Sequence, residues 1–121
     1  MRYGTNDQVY EFDPVPGNHQ IVVSHSMFIY PDRRGQGKSY DAGRERLLKA
    51  QSLGYDYIIC TVDQNNEAQL KQLSINDWTW LSSFDNRRTG HHVRLYGRRL
   101  YLPVMNRVDN SIKIPDQCEC P

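Results

Sequence analysis

The residues best suited to chemistry in this sequence stand together between Tyr30 and Gly54, which read YPDRRGQGKSYDAGRERLLKAQSLG. Gly35 and Gly37 free the backbone for φ values that other residues resist. Successive N–H groups can therefore turn toward one anion, with Arg33, Arg34 and Lys38 beside them. A helix from near Lys38 to Leu53, closed by Gly54, points its N-terminus at the same place and adds its dipole to the free amides. The chemistry this predicts is the capture of phosphate. Gly37-Lys38-Ser39 is also the tail of a P-loop, but that motif needs a glycine where Asp32 stands, and a carboxylate there would repel phosphates.

The elements that position this loop follow from hydrophobic patterning. Ile21, Val22, Val23, Met27, Phe28 and Ile29 form an apolar run without helix-period breaks, read as a buried strand within His19–Tyr30 that ends at Pro31 and feeds the loop. In the helix, Tyr40, Gly43, Leu47 and Ala50 mark one side with Leu48 next to them, whereas Arg44, Glu45, Arg46 and Lys49 lie mostly opposite, as a solvated face. Tyr55–Val62 reads as a second buried, parallel strand. Glu67 to about Ile75 reads as a second helix, opened by Asn65 and Asn66 and buried through Leu70 and Leu73. Trp78–Phe84 and His91–Tyr96 are expected to pair as a hairpin turning through Thr89-Gly90. Upstream, residues 1–8 read as a loose end, Val9–Phe12 as a short strand, and Asp13–Asn18 as a turn into the His19 strand.

With 121 residues and 38% hydrophobic content, residues 1–121 are expected to form one compact domain, with 102–121 as a C-terminal extension. A net charge of +1 gives no case for nucleic acid, and no run of apolar residues is long enough to span a membrane or to look like a signal peptide. The three cysteines suit a reducing compartment, so cytoplasm is the expected location. Arg87, Arg88, Arg94, Arg98 and Arg99, with His91 and His92, form a run without acidic residues. It either attracts an anion or is a solvated strand edge, with Arg94 outward and Val93 and Leu95 inward. No metal is expected: adjacent histidines point to opposite strand faces, and Cys118-x-Cys120 supplies only two ligands.

Arg34-Gly35-Gln36-Gly37-Lys38-Ser39 resembles the Arg/Gln-x-x-Gly-x-Gly/Ala signature of the GNAT acyltransferases, with Ser39 in place of the last Gly or Ala. The resemblance extends from about Gln20 to Leu100. Pro31 precedes the loop, Gly54 ends the helix at the family's distance, the Tyr55 strand follows, and Trp78 stands for the family's core aromatic after Asn76-Asp77. It implies an α+β fold, a mixed twisted sheet flanked by helices, whose two parallel strands splay around a coenzyme. It also implies acetyl-coenzyme A as the acyl donor, held by Phe28, Ile29, Tyr30, Arg33, Arg34, Gly35, Gln36, Gly37, Lys38 and Ser39, with Asn65 or Asn66 on the pantetheine arm unless it only caps the helix. The chain departs from the family in having no room for the usual N-terminal helices. The acceptor site is then open, covered by the C-terminal segment, or completed in a homodimer.

The family's catalytic Tyr falls at Gln72 or Leu73, and its Glu base falls near Val23. His25, two residues on and so on the same strand face, is the candidate catalytic base, because a neutral imidazole can take a proton directly or through water. The resemblance implies transfer of an acetyl group to an amine of a protein or small molecule by direct attack in a ternary complex, with no cysteine placed for an acyl-enzyme. The alternative is a non-catalytic GNAT-fold binding protein that modulates a host protein, since small stand-alone domains of this type resemble some carried by bacteriophages.

Overall fold

The computed structural model describes residues 1–35 and 39–100. Its strands are β1 (Arg2–Gly4), β2 (Gln8–Val15), β3 (Asn18–Ile29), β4 (Tyr57–Asp63), β5 (Thr79–Asp85) and β6 (His92–Arg99). The helices α1 (Ser39–Ser52) and α2 (Glu67–Ile75) flank β4 in the chain, and a 3-10 turn, Pro31–Arg33, leaves β3. The strands form one sheet in the order β1-β2-β3-β4-β6-β5. Only β3 and β4 are parallel.

Alternation along the strands decides which side is core. Tyr10, Phe12, Val22, Ile58, Cys60, Val62 and Tyr96 are buried and cluster with Leu47 and Ala50 of α1, Leu73 of α2 and Trp78, so both helices pack on this face. The opposite face carries Ile21, Val23, Tyr57, Ile59, Val93 and Leu95, all partly exposed. Val93 and Leu95 are thus not the inward residues of β6; Tyr96 is, and Arg94 shares its side, stacked 3.9 Å over the Trp80 ring.

Both helices end by the same device. The Tyr55 N–H reaches the Ala50 carbonyl and the Gly54 N–H that of Gln51, with Gly54 at φ 90°. At α2, Trp78 N–H bonds Leu73 and Asp77 N–H bonds Ser74, with Asp77 at φ 64° in the left-handed conformation that glycine usually supplies. That geometry drops Trp78 into the core, 7% exposed.

Three further expectations change. Residues 1–8 are not a loose end: β1 pairs with β2, and its Tyr3 packs on Tyr10 and Phe12. The turn before β3 is only Pro16-Gly17, with Gly17 at φ 84° and Val15 opposite Asn18, so Asp13, Pro14 and Val15 belong to β2. Pro14 is tolerated there because β1 pairs only as far as Glu11, leaving that end of β2 an edge. The third concerns Arg46, which is not on a solvated face: it is 1% exposed. On the helical wheel it joins Ala42, Gly43, Leu47 and Ala50, and those five are the buried stripe of α1, while Tyr40 and Leu48 are exposed. Among the described residues, two strands and no helix precede β3.

Candidate active site

Parallel pairing between β3 and β4 covers only Ile21–Val23 against Tyr57–Ile59. Beyond Val23 the strands part, leaving a cleft of about 230 Å³ between Ser24–Met27 on one wall and Cys60–Asp63 on the other. A larger cavity of about 530 Å³ adjoins it, sharing Met27, Asn66 and Gln69. A space of that size suits an extended organic ligand.

The larger cavity brings together Phe28, Ile29, Arg33, Arg34, Gly35 and Asn66, six of the residues expected to hold a coenzyme. Arg34 lies over the Phe28 ring at 4.9 Å and donates its Nε–H to the Ile29 carbonyl at 2.8 Å, which fixes it beside the start of the loop. Arg33 is drawn toward Asp7 and Asp32, 3.6 and 3.7 Å away. Gly35 adopts φ 74° with nothing within 4 Å of where a Cβ would stand. Tyr30 lies edge-on to Phe28 but does not line the cavity. Gln36, Gly37, Lys38 and the Ser39 side chain lie outside the described residues. Asn66 Oδ1 accepts from the Gln69 N–H at 3.2 Å, capping α2 while it lines both cavities; Asn65 lines neither.

In the cleft, β3 has a bulge. Val9 faces Phe28 but Glu11 faces His25, and Ser26 in the extra space adopts φ 56°. Adjacent strand residues normally point apart, yet here Ser26 Oγ lies 3.0 Å from His25 Nδ1. His25 Nε2 lies 2.5 Å from Asp13 Oδ2 on β2. A carboxylate only accepts, so Nε2 carries the proton and Nδ1 is left to accept from the Ser26 hydroxyl. The hydrogen bond from His25 holds the Asp13 carboxyl below the usual carboxylate range. The imidazole expected to act as base thus stands in the cleft wall with its tautomer set.

The opposite side of the cleft floor is cationic. Arg46 Nη1 donates to Ser24 Oγ at 3.1 Å and Nη2 to Gln72 Oε1 at 3.2 Å, with the guanidinium 5.2 Å from the Trp78 ring centre. Its Nε has no hydrogen-bond partner among the described residues. Burial pushes this guanidinium down from its ordinary value, with Cys60, Tyr10 and Glu45 opposing. Glu45 is committed elsewhere, accepting from the Tyr10 hydroxyl at 2.7 Å and Gln8 Nε2 at 2.9 Å. A cysteine does reach the cleft, contrary to expectation: Cys60 lines it, but burial pushes its thiol up to about 11, so it is protonated and a poor nucleophile near neutrality.

The arginine run of the C-terminal third is dispersed rather than gathered. Arg98 donates to the Asn76 and Arg99 carbonyls, Arg94 to the Tyr96 hydroxyl, and His91 and His92 pair with Asp63 and Asp85. Among the described residues no group of three His, Cys, Asp or Glu could hold a metal, and no helix is long and apolar enough to cross a membrane. Cys118 and Cys120 lie outside the described residues.

No family model matches the chain, and no curated protein matches it by sequence. Comparison of folds is decisive. An acetyltransferase of the GNAT family from Streptococcus pneumoniae superposes with a TM-score of 0.65 at 16% identity, over 80% of this chain and 63% of that one. This chain has the GNAT fold. Spermidine N-acetyltransferase from Vibrio cholerae, solved with CoA and spermine, gives a TM-score of 0.65 at 15% identity over 78% of this chain and 58% of its own. The Salmonella typhimurium protein yncA, solved with its cofactor acetyl-CoA, gives 0.66 at 12% over 82% and 61%. The chain spans about three fifths of the length of these GNAT structures. At Gln72 and Leu73, where the resemblance would put the family's tyrosine, Leu73 is fully buried core and Gln72 is held by Arg46, and neither side chain offers a phenol's proton. Sequence reasoning did not single out Asp13, Ser24, Ser26 or Arg46. The two serines flanking His25 were the available signal.

Proposed function

We propose that the chain binds acetyl-coenzyme A, its pyrophosphate on the loop from Arg34 to Ser39 and its pantetheine arm along the larger cavity past Asn66. The thioester then enters the cleft between β3 and β4. The observation that carries this reading is the splay itself: a parallel pair that separates after Val23, opening a cleft continuous with the cavity at the loop. Unpaired strand edges in such a gap offer backbone N–H and carbonyl groups to an extended, amide-bearing ligand.

The reaction is direct transfer to an amine. The amine's lone pair attacks the thioester carbonyl carbon, the C–S bond breaks with its electrons on sulfur, and the ammonium proton passes through the Ser26 hydroxyl to His25 Nδ1, while Asp13 steadies the imidazolium. The acceptor is an amine of a small molecule or protein, approaching from the sheet face that the helices leave uncovered. That face would also support a homodimer. Release of free thiol from acetyl-CoA, followed with spermidine and with an amino-terminal peptide as amines, tests the reading: amine-dependent release supports it, and its absence with both turns the balance to the non-catalytic binding protein.

A further inference from the structure

A buried arginine without a carboxylate partner is an unusual element for a small domain, because the lost hydration of its charge is not returned by an ion pair. Arg46 is in that position at the floor of the cleft, 1% exposed and with its Nε unpartnered among the described residues. Its two bonded groups differ in consequence. Gln72 is a neutral amide whose Oε1 accepts from Arg46 and which lines the larger cavity, whereas Ser24 lines the cleft where the thioester would enter. By donating to Ser24 Oγ at 3.1 Å, the guanidinium occupies the oxygen's acceptor side and leaves the hydroxyl proton to be given away. No acceptor for that proton occurs among the described residues. His25, the next residue, stands on the other wall face, so one short stretch of β3 offers a proton acceptor and a proton donor to the same space.

We infer that Ser24, held by Arg46, is the hydrogen-bond donor that receives the negative charge developing on the thioester during acyl transfer. This role rests on the acyltransferase reading. As the amine attacks, charge gathers on the carbonyl oxygen and then on the departing sulfur. The Ser24 O–H donates to it without surrendering its proton, since an alkoxide is more basic than a thiolate, and the Arg46 charge behind it strengthens the donation because both groups are buried. Arg46 acts through Ser24 and is a positioning residue. The pair replaces in charge stabilisation what a phenol at position 72 or 73 would have supplied. The proton leaves by the separate route through Ser26 and His25.

The test is thiol release from acetyl-CoA with spermidine as the amine, run beside calorimetric titration with acetyl-CoA. Ser24→Ala should lower kcat by about a hundredfold, as loss of one such donor does elsewhere, with coenzyme affinity unchanged. Ser24→Thr, which keeps the hydroxyl on a strand-compatible side chain, should retain most of the activity. Arg46→Lys, which keeps the charge but cannot fork to both Ser24 and Gln72, should fall between them in kcat. If Ser24→Ala is too unstable to assay, Ser24→Cys matches the serine's size, lacks the strong donor, and should show the same loss. A wild-type chain that binds no acetyl-CoA overturns the acyltransferase reading and this role with it. A chain that binds the coenzyme and turns over equally in wild type and Ser24→Ala overturns this role alone. A chain that binds it and releases no thiol also overturns it, in favour of coenzyme binding without catalysis.

Discussion

Asp13 Oδ2 and His25 Nε2 lie 2.5 Å apart across β2 and β3, so a residue outside the cleft lining sets the tautomer of one inside it. Asp13→Asn can present an amide N–H to Nε2 and drive the ring proton to Nδ1, the nitrogen needed as acceptor. Transfer to spermidine should fall by about 10²-fold, the range typical of losing a positioned base, with acetyl-CoA affinity unchanged. Equal rates in the two proteins would show that the Asp13 carboxylate is not needed to hold His25 as the base.

The same pair predicts a pH effect on stability. The Asp13 carboxyl titrates lower folded than unfolded, so the pair's contribution is present above the ordinary carboxylate value of about 4 and is lost as the pH falls through the lowered one. Urea unfolding of wild type and Asp13→Asn should therefore differ near pH 5 and converge as the pH falls through the lowered carboxyl value. Parallel curves throughout would show that Asp13 is not stabilised by the fold.

Asn66 caps α2 and lines both cavities, and the two roles separate on substitution. Asn66→Ser keeps a capping oxygen and should change stability by only a few tenths of a kcal/mol while weakening acetyl-CoA binding, whereas Asn66→Ala should also lose about 1 kcal/mol. Asn65→Ser should leave coenzyme affinity as it is. Unchanged affinity in both serine variants would take the pantetheine arm away from this turn.

Legibility followed the strength of local signals. The β3 run, the glycine stop at Gly54 and the Trp78 core position are written in short stretches and emerged as expected, because each depends on a few neighbours. Arg46 was misplaced because helix charges are normally solvated. Its membership of the Ala42–Gly43–Ala50 stripe was visible on the wheel, but Ser24 and Gln72, which accept from its two Nη groups, are distant in sequence. β1 carries three residues held largely by ladder bonds and the Tyr3 ring, too short for periodicity to register. The Ser26 bulge arises from the register against β2, which no single strand records.

Gly43 is where α1 and α2 approach. A Cβ there would stand 2.6 Å from Asn76 Nδ2 and 3.1 Å from Gln72 Cγ, both on buried side chains. Gly43→Ala should therefore destabilise the fold by about 1 kcal/mol net, the overpacking outweighing alanine's helix preference. A rise in the urea midpoint would contradict the helix contact.

The sheet face away from the helices exposes Leu81 and Phe84 at 47% each beside Val93 and Leu95. A twofold dimer through this face is the expected way to cover it. Light scattering should give twice the chain mass at micromolar concentration, returning to one chain in Leu81→Asp. A monomer at all concentrations would leave the face to another cover.

The central claim is that the glycine loop binds the pyrophosphate of acetyl-CoA, and calorimetry on the wild type and Gly37→Asp tests it most directly. A carboxylate on the loop should repel the phosphates and abolish binding, with the circular dichroism spectrum and urea midpoint unchanged. Saturable one-to-one binding to the wild type and none to the folded variant is the predicted result; no binding to the wild type, or equal affinity in both, would contradict the account.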